Sequence, residues 1–265
     1  NLVGPVMVYM DRFFIAAQIS VSAVTHYAVP HDMVNKLSII PTALVSVLFP
    51  RFTGILVTGP EAVTVLYWRS AVYLSLILMP VIAFLFIFTP DILEMWVGAE
   101  FRDSSTSVMR ILLLGMAMNG FARLAQTLIQ SDGRADITAK LHLLEVIPYL
   151  LALLVAVKYS GIVGVASVWV ARVMVDLSLL HLVLFVRRTV SADVVVRSMV
   201  LVLSLIAAIA ATTLVADIET KVAVYFLLLS AFLLFAWNQL FSDADRDAAK
   251  SLVNEFLRSL KDIVR

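Results

Sequence analysis

Cysteine is absent from this chain of 265 residues, which excludes disulfides, thiolate metal sites and thiol nucleophiles. Charge is scarce as well. Asp, Glu, Lys and Arg together make 15% of the residues, against about 25% in soluble domains. Nothing in the sequence resembles a basic soluble domain, so no nucleic-acid partner is expected. Nucleotide-binding P-loop, His-Glu-x-x-His and Gly-x-Ser-x-Gly patterns are all missing, which speaks against an ATP-driven pump and a membrane protease. The four histidines are scattered without ligand spacing, so neither a metal nor another cofactor is expected. The N-terminus lacks a basic region and a small-residue cleavage site, unlike a signal peptide.

What is present is hydrocarbon. Hydrophobic residues make 62% of the chain and the mean hydropathy is +0.98, values that predict an all-α integral membrane protein. A hydrocarbon core about 30 Å thick is crossed by roughly 20 apolar helical residues. Apolar runs and breakers predict eight spans, at 2–19, 31–57, 60–88, 103–130, 135–157, 162–185, 196–216 and 221–241. Residues 20–30 read as a connection with His26 and His31 flanking a turn, and 89–102 as a break followed by a short polar loop. The remainder, 242–265, repeats Leu252, Val253, Phe256, Leu257, Leu260, Ile263 and Val264 at helical spacing among charges. That is the pattern of an amphipathic helix at the membrane surface, with Ser242 and Asp245 as its capping pair.

Orientation follows from the basic residues. One set of connections carries Arg51, Arg134, Lys140, Arg187, Arg188 and Arg197. The other carries Arg102, Lys158 and Lys221 beside Asp91, Glu94, Glu100, Asp217 and Glu219. The first set is expected in the cytoplasm, with both chain ends on that side. The sequence opens at Asn1 directly inside an apolar helix, so it is expected to be the C-terminal part of a longer chain.

Polar residues inside the spans carry most of the functional information, because an ionised group at the centre of a bilayer costs roughly 2.5–3.5 kcal/mol on insertion scales. Asp11 and Arg12 interrupt the first span. As neighbours they point about 100° apart, so each is free either to border a polar face or to form an interhelix bridge. In the second span Asn35, Ser38, Thr42 and Ser46 form one stripe, with Asp32 and Lys36 near its outer end and Pro41 predicting a bend. The stripe serves either close helix packing or a cavity wall. Arg123 shares a face with Asn119, Gln126 and Gln130, and either snorkels to headgroups or lines a cavity. Arg172 and Asp176 are spaced for an intrahelical ion pair. Glu145 is either a proton site or the partner of Arg172 or Arg123.

The run Tyr9-Met10-Asp11-Arg12-Phe13-Phe14-Ile15 is followed by Ser22-Ala23-Val24, Tyr27-Ala28-Val29-Pro30, Ile40-Pro41 and Leu48-Phe49-Pro50. In this order and spacing they resemble Wzx-type polysaccharide flippases of the multidrug/oligosaccharidyl-lipid/polysaccharide superfamily. Trp96-Val97-Gly98, Gly161-Ile162-Val163-Gly164 and the stretch from Trp169 to Arg172 fit the same pattern. The resemblance implies that residues 1–188 are the second six-helix lobe of a MATE-like flippase, 189–241 an additional pair of transmembrane helices, and 242–265 an amphipathic cytoplasmic tail. It implies a cleft bordered by Asp11, Arg12, Asn35, Lys36 and Arg123, whose cations engage the diphosphate of an undecaprenyl-linked oligosaccharide. Asp11 and Glu145 are the candidate coupling-ion sites. The implied partners are the lipid-linked oligosaccharide, membrane lipids, a missing N-terminal lobe and other polysaccharide-assembly proteins. The implied location is the bacterial inner membrane, crossed many times, and the implied activity is translocation without a catalytic step. The alternatives are a MATE-type drug/cation antiporter, which calls for a more acidic cleft, and a membrane polysaccharide polymerase or glycosyltransferase, which calls for a large external loop.

Overall fold

The structure, a computed structural model, describes residues 3–215 and 217–240 together with Arg246 and Ser251. Its main elements are α1 (Val3–Gln18), α2 (Val21–Lys36), α3 (Ile39–Ile55), α4 (Pro60–Ile87), α5 (Thr89–Val97), α6 (Ala99–Ser131), α7 (Ala135–Val186), α8 (Ala192–Ala210) and α9 (Ile218–Phe235). No strand occurs among the described residues, and six helical stretches there are long and apolar enough to cross a membrane. The protein is an all-α, multi-pass membrane protein. The expected amphipathic tail at 242–265 falls almost wholly outside the described residues.

Two connections expected from the sequence are helical. Residues 20–30 are no turn: Ser20 caps α2, its hydroxyl accepting from the Ala23 amide, and both His26 and His31 lie within the helix. The buried face of α2 carries Tyr27, Pro30, His31 and Val34 against α6, and this packing outweighs the weak helical propensity of a segment rich in β-branched and polar residues. Helices α2 and α3 then form one interrupted span, Val21–Thr58. The interruption sits at Leu37 and Ser38, where amide bonds reach back three residues, to Val34 and Asn35. Pro41 explains the position. It has no amide to give the Leu37 carbonyl four residues back, and its ring crowds that carbonyl.

The expected polar loop after α4 contains α5, opened by Pro90 in its first turn and stopped at Gly98, whose φ of +110° suits glycine. Asp91 on α5 accepts from the buried Lys221 ammonium of α9 at 2.5 Å. The Asp217 side chain caps α9 by accepting from the Thr220 amide, a bond that holds its carboxyl below the usual range.

Helix α7 runs through 52 residues but turns back on itself at Gly161, where φ is +56° and ψ −144°. Contacts between residues 142 and 176, 145 and 172, and 149 and 172 show two antiparallel legs. These legs are the two spans expected at 135–157 and 162–185.

Helix α6 is the axis of the bundle, touching α2, α3, α4, α5, α7 and α8. Its small residues make this possible by letting neighbouring backbones approach. A Cβ at Gly115 would lie 2.3 Å from Trp169 Cζ3 and 2.8 Å from Val170 Cγ2, both on α7. Gly115→Ala is therefore expected to destabilise the bundle by about 1–3 kcal/mol through overpacking. A lowered midpoint in a thermal-unfolding series of the purified protein would show it, and an unchanged midpoint would count against this α6–α7 contact.

Candidate functional site

A buried polar cluster ties α1, α2 and α7 together. Asp11 is 1% exposed, and both carboxylate oxygens are occupied. Tyr27 of α2 donates to Oδ2 at 2.7 Å and Tyr149 of α7 donates to Oδ1 at 2.5 Å. Tyr27 also stacks on His31, with ring centroids 5.7 Å apart. The Arg172 guanidinium lies 5.7 Å from the Tyr149 ring centroid and reaches Glu145 Oε2 at 3.5 Å. Next to it, His142 Nε2 is 3.6 Å from Asp176 Oδ1.

This arrangement replaces the intrahelical Arg172–Asp176 pair expected from the sequence. The hairpin at Gly161 presents each residue with a partner on the opposite leg, Glu145 for Arg172 and His142 for Asp176. The exchange leaves Glu145 Oε1 and Asp176 Oδ1 buried without a hydrogen bond. Buried polar atoms left this way cost free energy, and Arg12 Nε in the neighbouring group is buried without a partner as well.

A second, open group of polar residues lines the other side of α2. Arg12 is bonded through Nη2 to Asp32 Oδ1, and the side chains are 28% and 57% exposed. Asp32, Asn35 and Lys36 are exposed on α2, and the row continues through Thr42 and Ser46, exposed on α3. Arg123 stands further along, on α6, where Nη1 lies 3.4 Å from the Thr42 hydroxyl. The structure thus brings Arg12 beside the α2 residues and sets Arg123 against α3. Asp11 turns to the protein interior, away from the solvent-accessible group.

The row bears on what these helices can face. A side chain inside a spanning helix with neither a protein partner nor lipid compatibility must meet water or a further polar surface. Asn35 and Lys36 are exposed, and Asp32 is exposed beside its partner Arg12.

Sequence reasoning missed the roles of Tyr27, Tyr149 and His142. The two tyrosines sit in apolar runs where a hydroxyl is easily taken for bulk, and only the presence of a buried carboxylate nearby signals their use. Among the described residues no group of three or more His, Cys, Asp or Glu side chains is placed to hold a metal ion.

Residues 1–106 match the family described as polysaccharide biosynthesis protein. This stretch of the chain belongs to that family. The match contains Asp11, Arg12, Asp32, Asn35 and Lys36, and it ends before Arg123 and the α7 legs. A putative O-antigen transporter of Shigella flexneri is 33% identical over 181 residues, an alignment covering 68% of this chain and 43% of that relative. The chain therefore spans less than half the length of the curated relative it matches. No solved structure matches. The polar row from Arg12 to Ser46 lies wholly within the matched stretch.

Proposed function

We propose that this chain is one lobe of a flippase that carries polyprenyl-diphosphate-linked oligosaccharides across the bacterial inner membrane by alternating access. The observation that carries the reading is the row from the half-buried Arg12 and the exposed Asp32 through Asn35 and Lys36 to Thr42 and Ser46. Moving sugar hydroxyls and two phosphates past hydrocarbon requires substitute solvation, and such a row supplies donors and acceptors where lipid supplies none. Arginine suits the diphosphate, because its planar fork donates two parallel hydrogen bonds to phosphate oxygens. The chemistry is binding and release, with no bond made or broken. Resemblance to an O-antigen transporter supports the same substrate class.

In this reading residues 1–188 form the transport lobe, and 189–241 an added pair of helices. Both α8 and α9 pack on α4, and neither is needed to build the polar row. The lobe works against a second, N-terminal lobe that closes the other side of the cleft, and one rocks against the other. A drug/cation antiporter fits less well, since Asp11, Glu145 and Asp176 are all buried and the open row carries two cations for its single carboxylate.

The buried cluster supplies a site for a coupling proton. Three carboxylates, Asp11, Glu145 and Asp176, share the cluster with Arg172 and His142, so a proton held within it would bring its charge nearer balance. Of the two candidate coupling residues, Asp11 has both oxygens occupied, whereas Glu145 keeps one oxygen open. Glu145 is the better proton carrier of the two.

The test is surface display. In a strain deleted for its own repeat-unit flippase, the full-length protein should restore the surface glycan, and residues 1–265 alone should not. Restoration by residues 1–265 alone would refute the one-lobe reading, and failure of the full-length protein in its own strain would refute the flippase.

A further inference from the structure

At the α5 end of the polar row lies a shallow pocket of about 300 Å³, lined by Val29, Asp32, Met33 and Lys36 of α2 and by Trp96 and Val97 of α5. It is small but within reach of the usual range for ligand sites. Its wall combines three chemistries: a carboxylate and an ammonium one turn apart on α2, and an indole on α5. Trp96 is 61% exposed. That exposure is imposed, because α5 is pinned on its other sides. Thr89 and Leu93 are fully buried, Asp91 is bridged to Lys221, and Glu94 to Arg102 at 2.5 Å.

Asp32 is likewise held in place. Arg12 donates to Oδ1, and His31 Nδ1 lies 3.4 Å from the same atom, so Oδ2 takes neither contact. The pocket therefore offers a fixed acceptor at Asp32, a donor at Lys36 and a flat apolar face at Trp96.

We propose that this pocket holds one sugar ring of the translocated oligosaccharide, stacked on Trp96 with hydroxyls bonded to Asp32 Oδ2 and the Lys36 ammonium. The inference rests on the flippase reading and names where the glycan, as distinct from the diphosphate, is gripped. A pyranose has an apolar C–H face and a rim of groups that both donate and accept, and the pocket matches both. A bare diphosphate would meet the Asp32 carboxylate as a like charge. A polyprenyl tail would strand Asp32 and Lys36 without partners. A tryptophan serving only as an anchor at the membrane interface would need no carboxylate or ammonium beside it.

The experiment uses the full-length protein in nanodiscs and two probes, undecaprenyl diphosphate carrying its oligosaccharide, extracted from the source cells, and undecaprenyl diphosphate alone. Trp96→Ala is expected to weaken binding of the glycosylated probe by about tenfold, the scale of one lost aromatic contact, and to leave the bare lipid's affinity unchanged. Trp96→Phe should recover part of the loss. Trp96→Leu gives the same comparison if the alanine variant does not accumulate, since it fills space without an aromatic face. Equal loss for both probes, or no loss for either, overturns the sugar pocket. In those cases the wild-type protein still binds the glycosylated probe and the flippase reading stands. A wild-type protein that binds neither probe removes both.

Discussion

Replacing Arg12 with alanine is expected to abolish glycan translocation while membrane abundance stays near that of the wild type. The two outcomes separate because of where the partner sits. Asp32 is 57% exposed, so losing Arg12 leaves a carboxylate that water can solvate, and exposed ion pairs contribute only about 0.2–1 kcal/mol. Transport is another matter, since the guanidinium is proposed to grip a diphosphate at two oxygens. Arg12→Lys keeps the charge but not the fork, so it should transport more slowly than the wild type and bind the diphosphate more weakly. Surface glycan and membrane abundance measured on the same cells decide the matter. Normal glycan display in the alanine variant would reject the phosphate-binding role, and a fall in abundance would show Arg12 to be a packing bridge.

The opposite pattern is expected at Arg172. Its side chain is 21% exposed and its partner Glu145 6%, so Arg172→Ala leaves an unpaired carboxylate in a dry place. Removing one member of a buried pair costs about 3–5 kcal/mol, enough to deplete the folded protein. Abundance should collapse, and adding Glu145→Gln should recover much of it by removing the orphaned charge. Glu145→Gln alone should fold but lose any response of transport to a pH gradient, because a neutral amide carries no exchangeable proton of this kind. Failure of the double variant to recover would mean that Arg172 acts through its contact with the Tyr149 ring and not through Glu145. A pH response preserved in Glu145→Gln would remove that residue as the coupling site.

The class of the protein was legible because lipid imposes a strong pattern: long apolar runs, few charges, and breaks at Pro, Gly and Asp. The same rule hid α2. Its first half, residues 20–30 with His26 and Pro30, reads as a connection on hydropathy, while Tyr27, His31 and Val34 repeat at the three- and four-residue steps of a helix. The periodicity was present, but it lay in mixed side chains that bury against protein and not against lipid. At the site, Arg12, Asn35 and Lys36 could be singled out because a polar residue in an apolar run stands out by itself. The partners Tyr149 and His142 could not, since their pairing depends on the fold-back at Gly161, which brings together residues far apart in the chain. The i, i+4 spacing of Arg172 and Asp176 suggested a local pair for the same reason: a sequence shows neighbours on one helix and is silent about the leg opposite.

The interruption at Leu37 and Ser38 gives the first long span a fulcrum. Above it, α2 is tied by the Tyr27 hydroxyl to Asp11 and through it to Tyr149, so α1, α2 and the α7 hairpin are joined at one buried carboxylate. Below it, Pro41 of α3 lies over Gly120 of α6, where an added Cβ would stand 3.8 Å from the Pro41 Cβ, an ordinary packing distance. Bending is cheapest where the regular ladder of amide bonds is already broken. The break separates Arg12, Asp32 and Lys36, on the α1–α2 side, from Thr42 and Ser46 on α3. A cargo held along the row would thus meet two helical segments whose axes are set independently, although one transmembrane stretch supplies both.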